Sequence, residues 1–567
     1  MATPPSRSSA ARPWLARYDA GVAPEVDVPG GTLDGLAREA ARREPDGLAL
    51  DFLGARTSFR ELDDAIDRFA RALAGLGLRG GQRVSLHLPT CPAFVIALLG
   101  TTRAGGIAVP MNPLYTEHEL AGLMAQTTPA LSVALDLVQP RVAAARAEAN
   151  GEAARAPIVC VGIHQMLPAP IRWLYPLKAR REKRWRPLAD APDTPALPAL
   201  LARTPGGPVE TAARAGDPAL LQPTGGTTGL PKFATLSHRN LLANAAQVRA
   251  WLAVDPRPGD AMLSALPYFH IYGLTVAMSF SLLGGMTQVM LPRFDTEQVL
   301  KTAARTRPRF FPGAPIMYAA VADHPRAGRY DLTSIECCVS GSAPLSPDLQ
   351  RRFEAATGAR MVEGYGLSEA SPVTHCNPLE GERRPGSVGL PFPSTDARIL
   401  DLETRTREVA PGEPGELHVR GPQVMDGYWG RTDESAAVLR DGWLATGDVA
   451  TMDEDGYFRI VDRLKDLIIV GGLNVYPREV EEVLTAHPAV DRAAVVAMAD
   501  DRQGEVPRAF VTLRAGASAT PDELIAHCAE SLARYKVPRR LELRDDLPVT
   551  FIGKVLRREL SEEGPGR

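Results

Sequence analysis

Short apolar runs alternate with longer amphipathic stretches over most of the chain. VSLHL (84–88), AMLSAL (261–266), TQVML (287–291) and IECCVS (335–340) have the length and character of buried strands. Between such runs, residues 59–76 and 239–252 repeat apolar side chains at helical spacing. Alternating strands and helices predict an α/β fold of helix-covered β-sheets. Residues 143–208, rich in Ala, Pro and Arg, carry the weakest pattern, and no internal repeat is visible. Beyond Val461 the character changes. A charged DRLKD precedes an apolar LIIV, a Gly-Gly turn and a compact α+β pattern. This predicts a large N-terminal domain over 1–462 and a smaller, mobile α+β C-terminal domain over 463–567, hinged at 462–465.

Composition narrows the class. At roughly 150 residues per domain, 567 residues hold three or four core-forming units. With 45% hydrophobic and 23% charged residues the chain reads as an ordinary soluble enzyme, and a net charge of -3 gives no reason to expect nucleic acid as a partner. Six cysteines without CxxC spacing predict reduced, buried thiols and a cytoplasmic setting. The opening MATPPSRSSAARPW has no apolar centre, so no secretory leader is expected, and no apolar run approaches the ~20 residues of a membrane span. The chain holds only seven lysines among 64 basic residues: Lys178, Lys183, Lys232, Lys301, Lys465, Lys536 and Lys554. Where surface charge is written as arginine, a lysine suggests a need for a compact, mobile ammonium.

The strongest local signal is Gln222-Pro-Thr-Gly-Gly-Thr-Thr-Gly-Leu-Pro-Lys232, placed after the apolar run 218–221 and ahead of the helix at 239–252. Gly225, Gly226 and Gly229 let the backbone turn tightly and aim N–H groups at an anion. Thr224, Thr227 and Thr228 add hydroxyls and Lys232 adds charge, which makes a phosphate cradle. It lacks the G-x-x-x-x-G-K-[ST] spacing of the Walker loop.

This segment resembles the phosphate loop of the acyl-adenylate-forming superfamily: acyl-CoA synthetases, peptide-synthetase adenylation domains and luciferases. Further segments resemble that family's motifs in the family's order. Ala265-Leu-Pro-Tyr-Phe-His-Ile-Tyr-Gly273 is similar to its substrate-side aromatic-His motif. Ser340-Gly-Ser-Ala-Pro344 and Glu363-Gly-Tyr-Gly-Leu-Ser-Glu369 are similar to its adenine and magnesium motifs. Thr446-Gly-Asp448 resembles the ribose motif, Val461-Asp-Arg-Leu-Lys-Asp466 the hinge, and Leu547-Pro-Val-Thr-Phe-Ile-Gly-Lys554 the catalytic-lysine motif. The opening Arg12-Pro-Trp-Leu-Ala-Arg-Tyr18 and residues 167–185 resemble bacterial long-chain fatty acyl-CoA synthetases in particular.

The resemblance implies ATP-dependent adenylation of a carboxylic acid, a long-chain fatty acid above all, and then transfer to coenzyme A. It implies nucleotide contacts from the phosphate loop, from Gly341, Ser342, Ala343 and Pro344, from Glu363, Gly364, Tyr365, Gly366 and Ser368, and from Asp448 and Arg463. Mg²⁺ falls to Glu369 and Thr224, the substrate pocket to His270, the hinge to Lys465 and the catalytic cation to Lys554. Gly471 and Gly472 would pass the pantetheine arm of coenzyme A. These roles suit the chemistry, because a carboxylate attacking the α-phosphate of ATP brings two anions together and needs cations and fixed donors. The chain departs from the family pattern at Phe233, Ser368, Phe551 and Ile552 without losing a group the chemistry needs.

Alternatives remain at this level. An aryl- or medium-chain acid CoA ligase would share every motif. A fatty acyl-AMP ligase would use a carrier protein, although only thirteen residues follow Lys554 and leave no room for a fused one. A nucleotide-binding regulator would need none of Glu369, Lys465 and Lys554. The segment 167–185 runs from apolar and aromatic residues into six basic residues and one acid between Lys178 and Arg186. It reads equally as a solvated loop or as a peripheral contact with an anionic membrane on its inner face. A homodimer is the other expected association.

Overall fold

The computed structural model describes residues 12–148, 156–181, 188, 190–224, 231–252, 256–257, 259–500, 502–549 and 555–562. A seven-stranded sheet runs in the order Gly427–Tyr428, Phe233–Ser237, Pro218–Pro223, Ile107–Pro110, Arg83–His87, Leu131–Leu135 and Ile158–Val161. Its last five strands are mutually parallel. Covered on both faces, such strands are apolar throughout, and Ile107–Pro110 and Ile158–Val161 are buried at every position. Phe233–Ser237 pairs antiparallel with Pro218–Pro223. The segment after Lys232 is therefore a strand. The phosphate segment closes a hairpin, and the helix expected at 239–252 begins only after it, as His238–Leu252.

A second, four-stranded sheet contains Ala55–Ser58, Leu48–Phe52, Thr287–Met290 and Ala261–Ser264. Phe310 bridges it to Cys337–Ser340, which pairs in parallel with Arg360–Gly366. A third, antiparallel sheet holds Asp396–Leu400, Gly415–Arg420, Trp443–Met452, Leu439–Arg440 and Phe458–Arg463. The last sheet, from Ile468–Val470 to Arg540–Leu543, carries the helices Pro477–Ala486 and Pro521–Ser531. It encloses a core of its own, with Ile468, Val480, Leu484, Val495, Val511 and Leu524. The expected α/β fold with a smaller C-terminal α+β unit is what the chain adopts.

Helix Phe59–Gly75 starts at a capping box. Ser58 Oγ accepts the Glu61 N–H, and the Glu61 carboxylate accepts the Ser58 N–H. Phe59, Leu62, Ile66, Phe69 and Leu73, spaced three and four apart, are fully buried, each contributing about 1.5–3 kcal/mol. All six cysteines are free and buried. Burial pushes the thiols of Cys91 and Cys337 up to about 12 and those of Cys160 and Cys528 up to about 11.

Helix His238–Leu252 is buried on its polar side as well. Asn240, Asn244 and Gln247 form a stripe of amides with almost no exposure. Asn240 donates to the carbonyls of Pro422 and Val424, both at 2.9 Å. Asn244 donates to the Val373 carbonyl at 2.7 Å and accepts its N–H at 3.0 Å. Gln247 donates to the Pro393 carbonyl at 2.8 Å. Asn244→Ala leaves both backbone groups of Val373 unpaired, so a loss of about 2–4 kcal/mol is expected. A lower urea midpoint checks this, and a variant as stable as the parent would rule out the stripe as a structural tie.

Candidate active site

The helix stripe fixes two backbone segments, 371–374 and 422–424, and the residues beside them carry polar chemistry. Glu369 sits in a single 3-10 turn, Ser368–Ala370, at the end of strand Arg360–Gly366. Its carbonyl accepts the Met425 N–H at 2.8 Å. Its Oε1 accepts the Tyr428 hydroxyl at 2.8 Å. The Lys232 ammonium lies 4.7 Å above the Tyr428 ring and 2.6 Å from Glu434. Burial raises the Glu369 pKa, with hydrogen bonds from the backbone and Tyr428 opposing it.

Thr224 donates its N–H to the Lys232 carbonyl at 2.8 Å, so the two ends of the phosphate segment are pinned together. Gly225, Gly226, Thr227, Thr228 and Gly229 lie outside the described residues. Gln222, two residues before Thr224, donates to the Phe269 carbonyl at 3.2 Å and ties this hairpin to the aromatic-His segment. There His270 Nδ1 accepts the Tyr272 N–H at 3.3 Å. Thr275 donates to the Ser371 carbonyl at 2.7 Å, which joins the same segment to the turn after Glu369.

A second group forms where two sheets meet. Asp448 and Arg463 are cross-strand partners on Trp443–Met452 and Phe458–Arg463. Arg463 Nε stands 3.4 Å from Asp448 Oδ1, and the Tyr365 hydroxyl donates to Asp448 Oδ2 at 2.5 Å. Thr446-Gly-Asp448 is thus part of a strand, with Gly447 at φ +71 supplying the local kink. Lys465 lies in the 3-10 turn Leu464–Asp466. Burial lowers its pKa, as does Arg463, while Asp466, Asp448 and Glu369 act in the opposite sense. Its ammonium therefore feels the charge of both carboxylates of the site.

The loop after Cys337–Ser340 borders this group. Gly341 packs on Tyr272, where a Cβ would sit 3.2 Å from the ring. Ser342 turns the chain at φ +72, leading into Ala343 and Pro344. Gly364 lies on the strand beside Val339, and Gly366 is demanded by packing, since a Cβ there would come within 2.2 Å of the Pro372 carbonyl oxygen. The Glu363 side chain is buried behind this loop, at 8% exposure. Gly471 and Gly472, at φ +57 and +86, make the exposed turn of the hairpin between Ile468–Val470 and Leu473–Val475. Lys554 lies outside the described residues. Its segment is bracketed by an antiparallel bridge between Val549 and Val555.

Tyr428 and Glu434 had no sequence signal. Tyr428 is 59 residues from the carboxylate it bonds, a pairing that only the fold creates.

Glu369, Tyr365, Asp448, Arg463 and Lys465 thus gather from three separate segments, and Tyr428 links them to the hairpin that pins Thr224 to Lys232. Residues 37–429 match the AMP-binding enzyme family, and residues 479–554 match the AMP-binding enzyme C-terminal domain. The chain belongs to the AMP-binding enzyme family. Within it, the chain groups with acyl-CoA synthetases. It is 43% identical over 558 residues to a long-chain-fatty-acid–CoA ligase of Bacillus subtilis (strain 168), covering 97% of this chain and 98% of that protein. A protein of the same name from Yersinia pestis is 39% identical, with coverage of 97% and 98%. Among solved structures, the ATP-bound RpMatB-BxBclM chimera B3 superposes with a TM-score of 0.82 at 31% identity, covering 93% of this chain and 98% of that one.

Glu363 supplies a pH test. Burial pushes its carboxyl from 4.5 up to about 7. The folded form then holds a proton that the unfolded form releases, so stability falls as pH rises from 4.5 to 7, by up to roughly 3 kcal/mol. Glu363→Gln keeps the size and polarity of the side chain without its titration and should flatten that slope in urea titrations at pH 5, 6, 7 and 8. An unchanged slope would place the proton elsewhere.

Proposed function

We propose that this enzyme is a long-chain fatty acyl-CoA synthetase working in two half-reactions. In the first, a carboxylate oxygen attacks the α-phosphorus of ATP, the bond to the β-phosphate oxygen breaks, and pyrophosphate leaves. In the second, the coenzyme A thiol loses its proton, its sulfur attacks the acyl carbonyl, and AMP leaves. The observation that carries the reading is the convergence of Asp448, Tyr365 and Arg463 beside Glu369 and Lys465, at the end of the hairpin that pins Thr224 to Lys232. Asp448 accepts from ribose hydroxyls and Arg463 donates to the same sugar. Tyr365 borders the adenine, and His270 borders the acyl end.

The metal-donor set is one carboxylate, Glu369, and one hydroxyl, Thr224. Among the described residues no group of three or more His, Cys, Asp or Glu could hold a metal. That sparse hard-oxygen set suits Mg²⁺, which keeps waters and phosphate oxygens as its other ligands. When bound it supplies positive charge against the phosphates. Lys232 and Lys554 answer the remaining charge, Lys554 between substrate carboxylate and α-phosphate. Since Lys554 serves only adenylation, the C-terminal domain, hinged at 462–465, turns about Lys465 between the half-reactions and brings the Gly471-Gly472 turn toward the site. Acid-dependent pyrophosphate release is the test. It should appear with long-chain acids and fall by about 10² or more in Lys554→Ala, while that variant still converts supplied acyl-adenylate and coenzyme A to thioester. No pyrophosphate release with any acid would leave a nucleotide-binding regulator. A free adenylate persisting with coenzyme A present would leave an acyl-AMP ligase.

The same reading extends to where the acid is collected. Helix Ala169–Arg181 exposes Ile171, Trp173, Leu174 and Leu177, with Trp173 74% exposed, and Arg172, Arg180 and Arg181 beside them. Apolar side chains flanked by arginines suit the surface of an anionic bilayer. No described helix is long and apolar enough to cross a membrane. The triple variant Trp173→Ser, Leu174→Ser, Leu177→Ser should lose most sedimentation with phosphatidylglycerol vesicles. Unchanged sedimentation, or none in the parent, returns this helix to the solvent.

A further inference from the structure

A buried charge cluster spans the hinge. Asp462 ends the large domain's antiparallel sheet, three residues before Lys465, and its side chain is only 2% exposed. Its Oδ2 accepts the Arg478 N–H at 2.7 Å, and its Oδ1 accepts the Arg463 N–H at 2.7 Å and Arg557 Nη1 at 3.3 Å. Arg478, at the start of helix Pro477–Ala486, also donates Nη1 to the Ile460 carbonyl at 2.9 Å. Arg557 reaches Asp466 at 3.1 Å and grips Glu481 through two nitrogens, with a shortest contact of 2.7 Å. Leu560, one turn further on, is buried against Ala494, Val496 and Phe510, which anchors this end of the chain in the small domain.

These contacts divide into two sets. Arg557 with Glu481 and Asp466 lies wholly on the small-domain side of Lys465. The bonds to Asp462 and Ile460 cross it. A turn about Lys465 would keep the first set and break the second. Asp462 would then lose Arg478 and Arg557 together, and a desolvated carboxylate stripped of its partners is costly unless water reaches it. Arg557 also stands three residues beyond Lys554, just past the bridge from Val549 to Val555.

We infer that Asp462, Arg478 and Arg557 form a latch that holds the small domain in the arrangement used for adenylation. The inference rests on the two-step reading above. Breaking the crossing bonds depopulates the adenylating arrangement without touching a substrate.

Asp462→Asn and Arg478→Ala are the variants, the second removing the crossing bond to the Ile460 carbonyl while leaving the Asp462 carboxylate in place should the first fail to fold. Each should slow acid-dependent pyrophosphate release roughly tenfold, as a tenfold shift in domain population would. Thioester formation from supplied acyl-adenylate and coenzyme A should hold or rise. Trypsin should cut faster after Arg463 and Lys465, read as fragments beginning at Leu464 and Asp466. Folded variants that lose both half-reactions equally, or neither, or that resist trypsin as the parent does, overturn the latch. A parent protein without pyrophosphate release for any acid instead overturns the reading on which it rests, and the trypsin result would still report on the latch.

Discussion

The site depends on amide side chains buried along one helix. Asn240, Asn244 and Gln247 hold the backbone at 373, 393, 422 and 424. None of them belongs to a chemical motif, yet Glu369 and Tyr428 stand where they do because the segments on either side are fixed. Each amide satisfies backbone groups that would otherwise be stranded in an apolar interior, where an unpaired N–H or C=O costs about as much as a lost hydrogen bond. Precision at the face therefore comes from behind it.

Electrostatics then sorts the cations. Lys232 is compensated by Glu434 and rests on an aromatic ring, whereas Lys465 is partly desolvated and feels the charges of Asp448 and Glu369. An ammonium on a flexible stem can exchange one carboxylate partner for a phosphate with little rearrangement. A guanidinium locked in a fork cannot. The chain's scarcity of lysine and its use at these positions are consistent with that division of labour. Arginine supplies the fixed clamps, as at Arg557, Arg478 and Arg463.

Much of the site was legible in the sequence because its residues are chemical and cluster in short motifs. Asp448, Arg463, Tyr365 and Glu369, all singled out in the sequence, lie together in the fold, and the change of pattern after Val461 falls shortly before a separate core. Other features were hidden for physical reasons. The strand after Lys232 was invisible because FATLS is short and buried at every position, so it shows no alternation. The apolar runs overshot their strands, so that AMLSAL is strand only over Ala261–Ser264, since buried loops are as apolar as the strands they leave. The amide stripe on 238–252 reads like a solvated helix face, because a polar residue carries no mark of whether water or backbone satisfies it. Tyr428 and Arg557 act through partners 59 and 95 residues away, a distance that no local pattern spans.

The buried cysteines bear on chemical fidelity. An acyl-adenylate is an electrophile that any thiolate can intercept. Cys337 and Cys338 lie on the strand that leads into the Ser340–Pro344 loop, and Cys376 lies on the strand paired with that of Tyr365. Burial keeps all three thiols protonated far above neutral pH and away from solvent. The protein's own sulfur cannot compete for the acyl group it has activated. An incoming thiol then meets no rival nucleophile of its kind at these strands, and self-acylation there is suppressed by acidity and access rather than by the absence of cysteine.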